Sequence, residues 1–210
     1  MKNTFFFFTI SLFVLALSCK KSDNPNPINN PPQITSEYWV QAEFDGVSKN
    51  IELGKNQFGL SSGNSGDIEL PICKYDYQSC LQQTELVGTE FEYKEAICIE
   101  FIKLYNDTCD QEWENFADLF VPQTFTYSPN YDTPGIYILY NDENKKLFST
   151  RLGAQSSSSF SITASSSLDP DIFGKYSQKV EGEFSCTLYD DQGGKIEITN
   201  GKFSLLYTPS

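Results

Sequence analysis

Val180-Glu181-Gly182-Glu183-Phe184-Ser185-Cys186-Thr187-Leu188-Tyr189 alternates along its length, with Phe184, Cys186 and Leu188 on one face. A period of two is the mark of a half-buried strand. Asp190 to Gly194 supplies turn chemistry, and Lys195 to Tyr207 returns with Ile196 and Ile198, then Phe203 and Leu205. The inward set moves from even to odd numbers across Asn200-Gly201, so the return strand is expected to break there. The rest of the chain repeats the pattern. Val40, Ala42 and Phe44 share a face of Trp39 to Phe44, and Asp45-Gly46 reads as a tight turn into Val47 to Leu53. Gln57 to Ser61 and Asp67 to Cys73 flank Gly63-Asn64-Ser65-Gly66, which reads as a second hairpin turn.

Ala96 to Tyr105, Gly135 to Asn141 and Lys145 to Thr150 are further strands, the last two joined by Asp142-Glu143-Asn144. Ser149 to Ser167 holds nine serines, yet Phe160, Ile162 and Ala164 alternate within it and predict a strand. Trp113, Phe116, Ala117 and Phe120 recur at helical spacing and predict one short helix near 109–120. About ten strands with turns this frequent predict an all-β fold. The expected form is an antiparallel β-sandwich or flattened barrel in one domain, 37–210.

The composition narrows function by exclusion. The chain has 210 residues and no histidine, which removes every Ser-His or Cys-His nucleophile and every His-containing zinc site. Fifteen Lys and Arg stand against 28 Asp and Glu, a formal charge of −13. That balance argues against nucleic acid, whose phosphates need clustered cations. No cofactor is implied.

Met1-Lys2-Asn3 followed by an apolar run from Thr4 to Leu17 fits a secretory signal peptide over 1–18. The run is too short to span a bilayer, which takes about 20 apolar residues. Its end, Leu15-Ala16-Leu17-Ser18-Cys19, resembles the lipobox of bacterial lipoproteins. That resemblance implies acylation of Cys19, a palmitate-type anchor and an outer-membrane location, facing the periplasm or the cell surface. The alternative is an ordinary cleaved signal with Cys19 unmodified. Lys20 to Thr35, rich in Pro and Asn, reads as an extended tether, which places lipidated cysteine and tether together in 19–36.

A second resemblance lies in the C-terminal hairpin. Val180-Glu181-Gly182-Glu183-Phe184 followed by Ile198-Thr199-Asn200-Gly201-Lys202-Phe203 resembles the closing hairpin of small Bacteroidota lipoproteins of unknown function. Glu43-Phe44-Asp45-Gly46 and Phe160-Ser161-Ile162-Thr163 resemble other parts of that family. The family implies a lipid-anchored all-β domain and carries no catalytic residue. Gly182 and Gly201 read as places of bulge or close backbone approach.

Five cysteines remain besides Cys19. Export favours disulfides over metal binding, and the nearest neighbours in sequence suggest Cys73–Cys80 and Cys98–Cys109, with cross-strand Cys73–Cys98 as the competitor. Cys186, between Phe184 and Leu188, reads as a buried inert thiol. Ten acids crowd Glu85 to Asp118. Within them Asp107, Asp110 and Glu112 are candidate oxygen ligands for Ca²⁺, although a solvated acidic loop is the favoured reading. Trp39 is expected in the core, and Trp113 is the aromatic singled out for ligand contact.

These readings converge on a lipid-anchored outer-membrane module, non-catalytic, with a binding or structural role. Its partners would be the membrane through its anchor and a glycan or cell-surface protein. Two alternatives remain: a carbohydrate-binding or carbohydrate-active domain using paired carboxylates, and a soluble secreted β-domain.

Overall fold

The fold is known from a computed structural model, which describes residues 33–69, 72–87, 90–106, 112–171, 174 and 176–209. Pro32–Ser210 forms one compact unit. Cys19 and the signal segment lie outside the described residues.

The strand order follows from the alternation. β1 (Trp39–Phe44) and β2 (Val47–Glu52) are joined by Asp45-Gly46, both at positive φ, as a tight hairpin turn requires. Next come β3 (Phe58–Glu69), β4 (Ile72–Val87) and β5 (Glu90–Asn106), then the helix α1 (Glu112–Leu119) and β6 (Gln123–Phe125). β7 (Gly135–Asn141), β8 (Leu147–Ser149), a 3-10 turn over Thr150–Leu152, β9 (Ser159–Ser167), β10 (Gln178–Tyr189) and β11 (Lys195–Tyr207) complete the chain.

All strand pairs are antiparallel, in the order β2-β1-β11-β10-β8-β7-β5-β4-β3, with β9 beside β10 and β6 beside β9. The result is one curled sheet, a half-barrel. It stays continuous because β10 is long enough to serve two neighbours. Its residues Gln178 to Ser185 pair with β9, and Tyr189 pairs with β8.

The core fills the curl with aromatic rings. Phe101 meets Phe120, Phe125, Phe160 and Tyr207 edge-on at 5.1 to 5.5 Å between centroids. The helix is amphipathic: Phe116, Leu119 and Phe120 are buried, and Phe120 stacks on Tyr207 at 4.9 Å. Gly182 and Gly201 are close-approach sites. A Cβ on Gly182 would strike the Ser161 carbonyl oxygen and the Phe203 ring, and one on Gly201 would strike Phe184.

Several expectations are corrected. The return strand does not break at Asn200-Gly201: β11 runs through, and a bulge opposite Phe184/Cys186 inserts one extra residue, which moves the inward set from the even-numbered Ile198 to the odd-numbered Phe203. Gly63-Asn64-Ser65-Gly66 is no turn either, but the middle of β3, paired residue by residue with Tyr75 to Gln78. Its glycine makes room for a ring, since a Cβ on Gly66 would lie 2.9 Å from Tyr75. Trp39 is partly exposed on the face opposite Val40, so it is outside the core.

The disulfides also differ. Cys80 is bonded to Cys98 directly across β4 and β5, with Cα atoms 4.1 Å apart. Cys73 cannot reach Cys80, because seven residues of one strand span roughly 24 Å and a disulfide tolerates about 7 Å between Cα atoms. Cys73 is disulfide-bonded, but not to Cys80 or Cys98. Cys98 is therefore not available to Cys109, which lies outside the described residues. Among the described residues Cys186 is the buried free thiol, and burial pushes its pKa up to about 12.

Candidate functional site

β3, β4, β5 and β7 turn one face to the core and the other outward. Tyr77, Phe101 and Ile136 share an inward row. Register then dictates the outward rows: Ser65, Asp76, Ile102 and Gly135 form one, and Gly63, Gln78, Glu100 and Tyr137 the next. Ser61, Cys80, Cys98 and Leu139 make a third, and Gly59, Gln82, Ala96 and Asn141 a fourth, which Leu147 of β8 extends.

Two carboxylates are buried on this outward face. Asp76 is 9% exposed and Glu100 6%, on adjacent strands and one row apart. Burying a carboxylate is costly unless something stabilises it. The Tyr137 hydroxyl donates to Glu100 Oε2, and the Gln78 amide reaches the same oxygen at 3.5 Å. Lys74 Nζ lies 3.7 Å from Asp76 Oδ2. The other Asp76 oxygen, Oδ1, is buried and accepts no hydrogen bond among the described residues.

The single arginine of the chain, Arg151, completes the cluster. The 3-10 turn after β8 carries it. That turn is pinned by Thr150, whose hydroxyl accepts from the Ile138 amide at 3.1 Å, and by Gln155, which donates to the Thr150 carbonyl at 3.0 Å. The guanidinium carbon sits 3.3 Å from the Tyr137 ring centre and 3.5 Å from that of Tyr131. Its three nitrogens are buried and make no hydrogen bond among the described residues. Cation–π contact on two rings holds the cation in place.

Electrostatics follow from this packing. Burial pushes the Glu100 carboxyl up to about 7, opposed by the Tyr137 hydrogen bond and reinforced by the charge of Asp76. Burial also raises Asp76, against the pull of Lys74 and Arg151. Lys74 and Arg151 thus set two cations against the two carboxyl groups of Asp76 and Glu100.

A cavity of about 200 Å³ opens beside the carboxylates, walled by Ser61 to Ser65, Asp76, Gln78 and Glu100. A second, of about 180 Å³, is walled by Gln78, Cys80, Gln82, Ala96, Cys98, Leu139, Asn141 and Leu147. Gln78 belongs to both. A larger hollow of about 460 Å³ lies near Asn56, Gln83, Lys94, Glu95 and Glu143. Its buried carboxylate is already satisfied: Glu95 accepts from Lys49 at 2.5 Å and from Tyr140 at 2.8 Å. The smaller cavity with the unpaired oxygen is therefore the better candidate.

None of the residues singled out from sequence belongs to this site. Asp107, Cys109 and Asp110 lie outside the described residues. Glu112 opens α1, and Trp113 follows it in that helix; both side chains are outside what is described. Among the described residues no three acidic or sulfur side chains converge as a metal ligand set. No family model, no curated protein and no solved structure matches this chain.

Proposed function

We propose that this protein is a lipid-anchored lipoprotein of the outer membrane whose β-domain is a non-catalytic binding module, with its ligand seat beside Asp76 and Glu100. The observation that carries the reading is Asp76 Oδ1, a buried acceptor without a partner among the described residues, in the wall of a polar cavity. An unpaired buried acceptor costs about 1–3 kcal/mol, and a ligand that donates to it recovers that cost. Rigid strands hold the wall, as a preorganised binding site requires. The lipobox-like ending at Cys19 and the Pro/Asn-rich tether support display at a membrane surface, and the family resemblance points the same way.

Two measurements test this. In cells fed an alkyne fatty acid, the wild-type protein takes up label and Cys19→Ser does not; an unlabelled wild type means a soluble secreted domain instead. Thermal-shift screening of sugars, amino acids, peptides and nucleosides raises the melting temperature of the wild type for one class and leaves Asp76→Asn unmoved. No such class, or equal shifts in both proteins, contradicts the binding site.

One observation favours a second reading. Glu100 near pH 7, beside another buried carboxylate, has the protonation expected of a general acid. Glycan shortened on incubation with the protein would replace the non-catalytic reading with a carbohydrate-active one.

A further inference from the structure

The two outward cavities share Gln78, and together they run along four rows of the sheet, from Asp76 and Glu100 to Gln82 and Asn141. Three row intervals of two residues each make this path roughly 20 Å long. We infer that the site takes a neutral, unbranched glycan laid along the outward face of β4, β5 and β7, with one end on the carboxylates and the other on the Gln82 and Asn141 amides. This inference rests on the binding-module reading and specifies its ligand.

Three observations select this chemistry. The first is charge: Lys74 and Arg151 offset the two carboxylates, so neither a polyanion nor a strong cation is favoured. Asp132 lies close enough to act on Asp76 and adds to the case against an anion.

The second is the wall chemistry. Gln78, Gln82 and Asn141 each offer a donor and an acceptor, Ser61 and Ser65 offer hydroxyls, and Asp76 and Glu100 accept. Sugar hydroxyls both donate and accept, so they match a mixed wall of this kind. An extended peptide draws its affinity from backbone pairing at a free strand edge. The free edge here is β3, whereas the cavity from Gln78 to Asn141 lies over stretches of β4, β5 and β7 whose backbones are paired on both sides.

The third is the floor and its ends. Gly63, Ala96 and the Cys80–Cys98 disulfide keep the floor low, which allows a ribbon-like chain to lie flat. Tyr131, 55% exposed, stands at the carboxylate end, and Leu147, 51% exposed, at the amide end. Leu147 lines its cavity and presents apolar surface to the C–H face of a sugar ring, while Tyr131 is stacked on Arg151.

Titration calorimetry on the full-length protein in detergent tests the inference. The probes are cello-, xylo- and manno-oligosaccharides of two to six units, oligogalacturonate and an unstructured peptide. One neutral series binds, with affinity rising at least tenfold from the disaccharide to the tetrasaccharide. Gln82→Ala with Asn141→Ala abolishes that rise and leaves the disaccharide within threefold, whereas Asp76→Asn weakens every length. Melting temperatures of the variants verify folding.

Neutral oligosaccharides that fail to bind, or bind with no dependence on length, overturn the glycan inference. Preference for oligogalacturonate or peptide, lost in Asp76→Asn, overturns it too but keeps the binding module. No binding of any probe, together with no thermal shift from any class, removes both.

Discussion

Glu52 and Glu100 are both glutamates buried on strands, and their surroundings drive them in opposite directions. Glu52 is 1% exposed and takes backbone hydrogen bonds from Thr35 and Ser36 at 3.0 and 3.1 Å. Lys55 and Asn50 donate to its other oxygen, each at 2.6 Å. Burial alone would raise its pKa, but Lys55 and the two amides outweigh burial and hold it at about 2. Its contribution is therefore present above about pH 4.5 and is lost as pH falls toward 2. Replacing it in Glu52→Gln should cost about 1–3 kcal/mol in urea unfolding at pH 7 and loosen the end of the tether at Thr35.

Glu100 has the reverse sign. Its folded value near 7 exceeds the ordinary 4.5, so the folded state retains a proton that the unfolded chain releases. Stability falls as pH rises through that window, by up to roughly 3 kcal/mol. Asp76, Arg151, Lys74 and Tyr137 face the same carboxyl and tune this window. Urea midpoints for wild type should fall between pH 5 and 8, while those for Glu100→Gln stay level; parallel profiles would contradict the assignment.

Signals for these residues do exist in the sequence. Glu100 interrupts the apolar run Ala96 to Ile102, Asp76 lies between two tyrosines, and Arg151 is the lone arginine. Glu95 and Glu100 fall among ten acids between residues 85 and 118, and composition does not distinguish these two buried carboxylates from the rest. Only strand register brings Glu100 beside Asp76, and register is not local information.

At the scale of elements, alternation made the N- and C-terminal hairpins legible, and helical spacing placed α1 to within a turn. The central hairpin was not legible. β4 is buried on both faces in its middle, with Tyr75, Asp76 and Tyr77 all buried, so it loses the polar half of the pattern. Gly66, which makes room for Tyr75, together with Gly63 imitated a turn. The helix and the disulfide each yield a prediction. Phe120→Ala removes a fully buried ring packed on Phe101, Phe116, Tyr77 and Tyr207, and should cost about 3–5 kcal/mol in denaturant unfolding. Opening the Cys80–Cys98 link, which closes 18 residues of chain, in Cys80→Ala with Cys98→Ala should cost about 3 kcal/mol. It should also disturb the floor between the two cavities.

At the scale of the whole molecule, curling gives the sheet two unlike faces. The inner face is filled with aromatic rings and closed by α1. On the outer face, β4, β5 and β7 hold buried carboxylates and amides in register, with Arg151 stacked beside them from the turn after β8, and this is where the account places binding. Amide chemical-shift mapping of the full-length protein with a neutral tetrasaccharide tests that claim most directly. The account predicts shifts concentrated at Asp76, Gln78, Gln82, Glu100 and Asn141, including the side-chain amides. Shifts confined to β1, β2 and β11 would contradict it, whereas no shift at all would overturn the glycan inference alone.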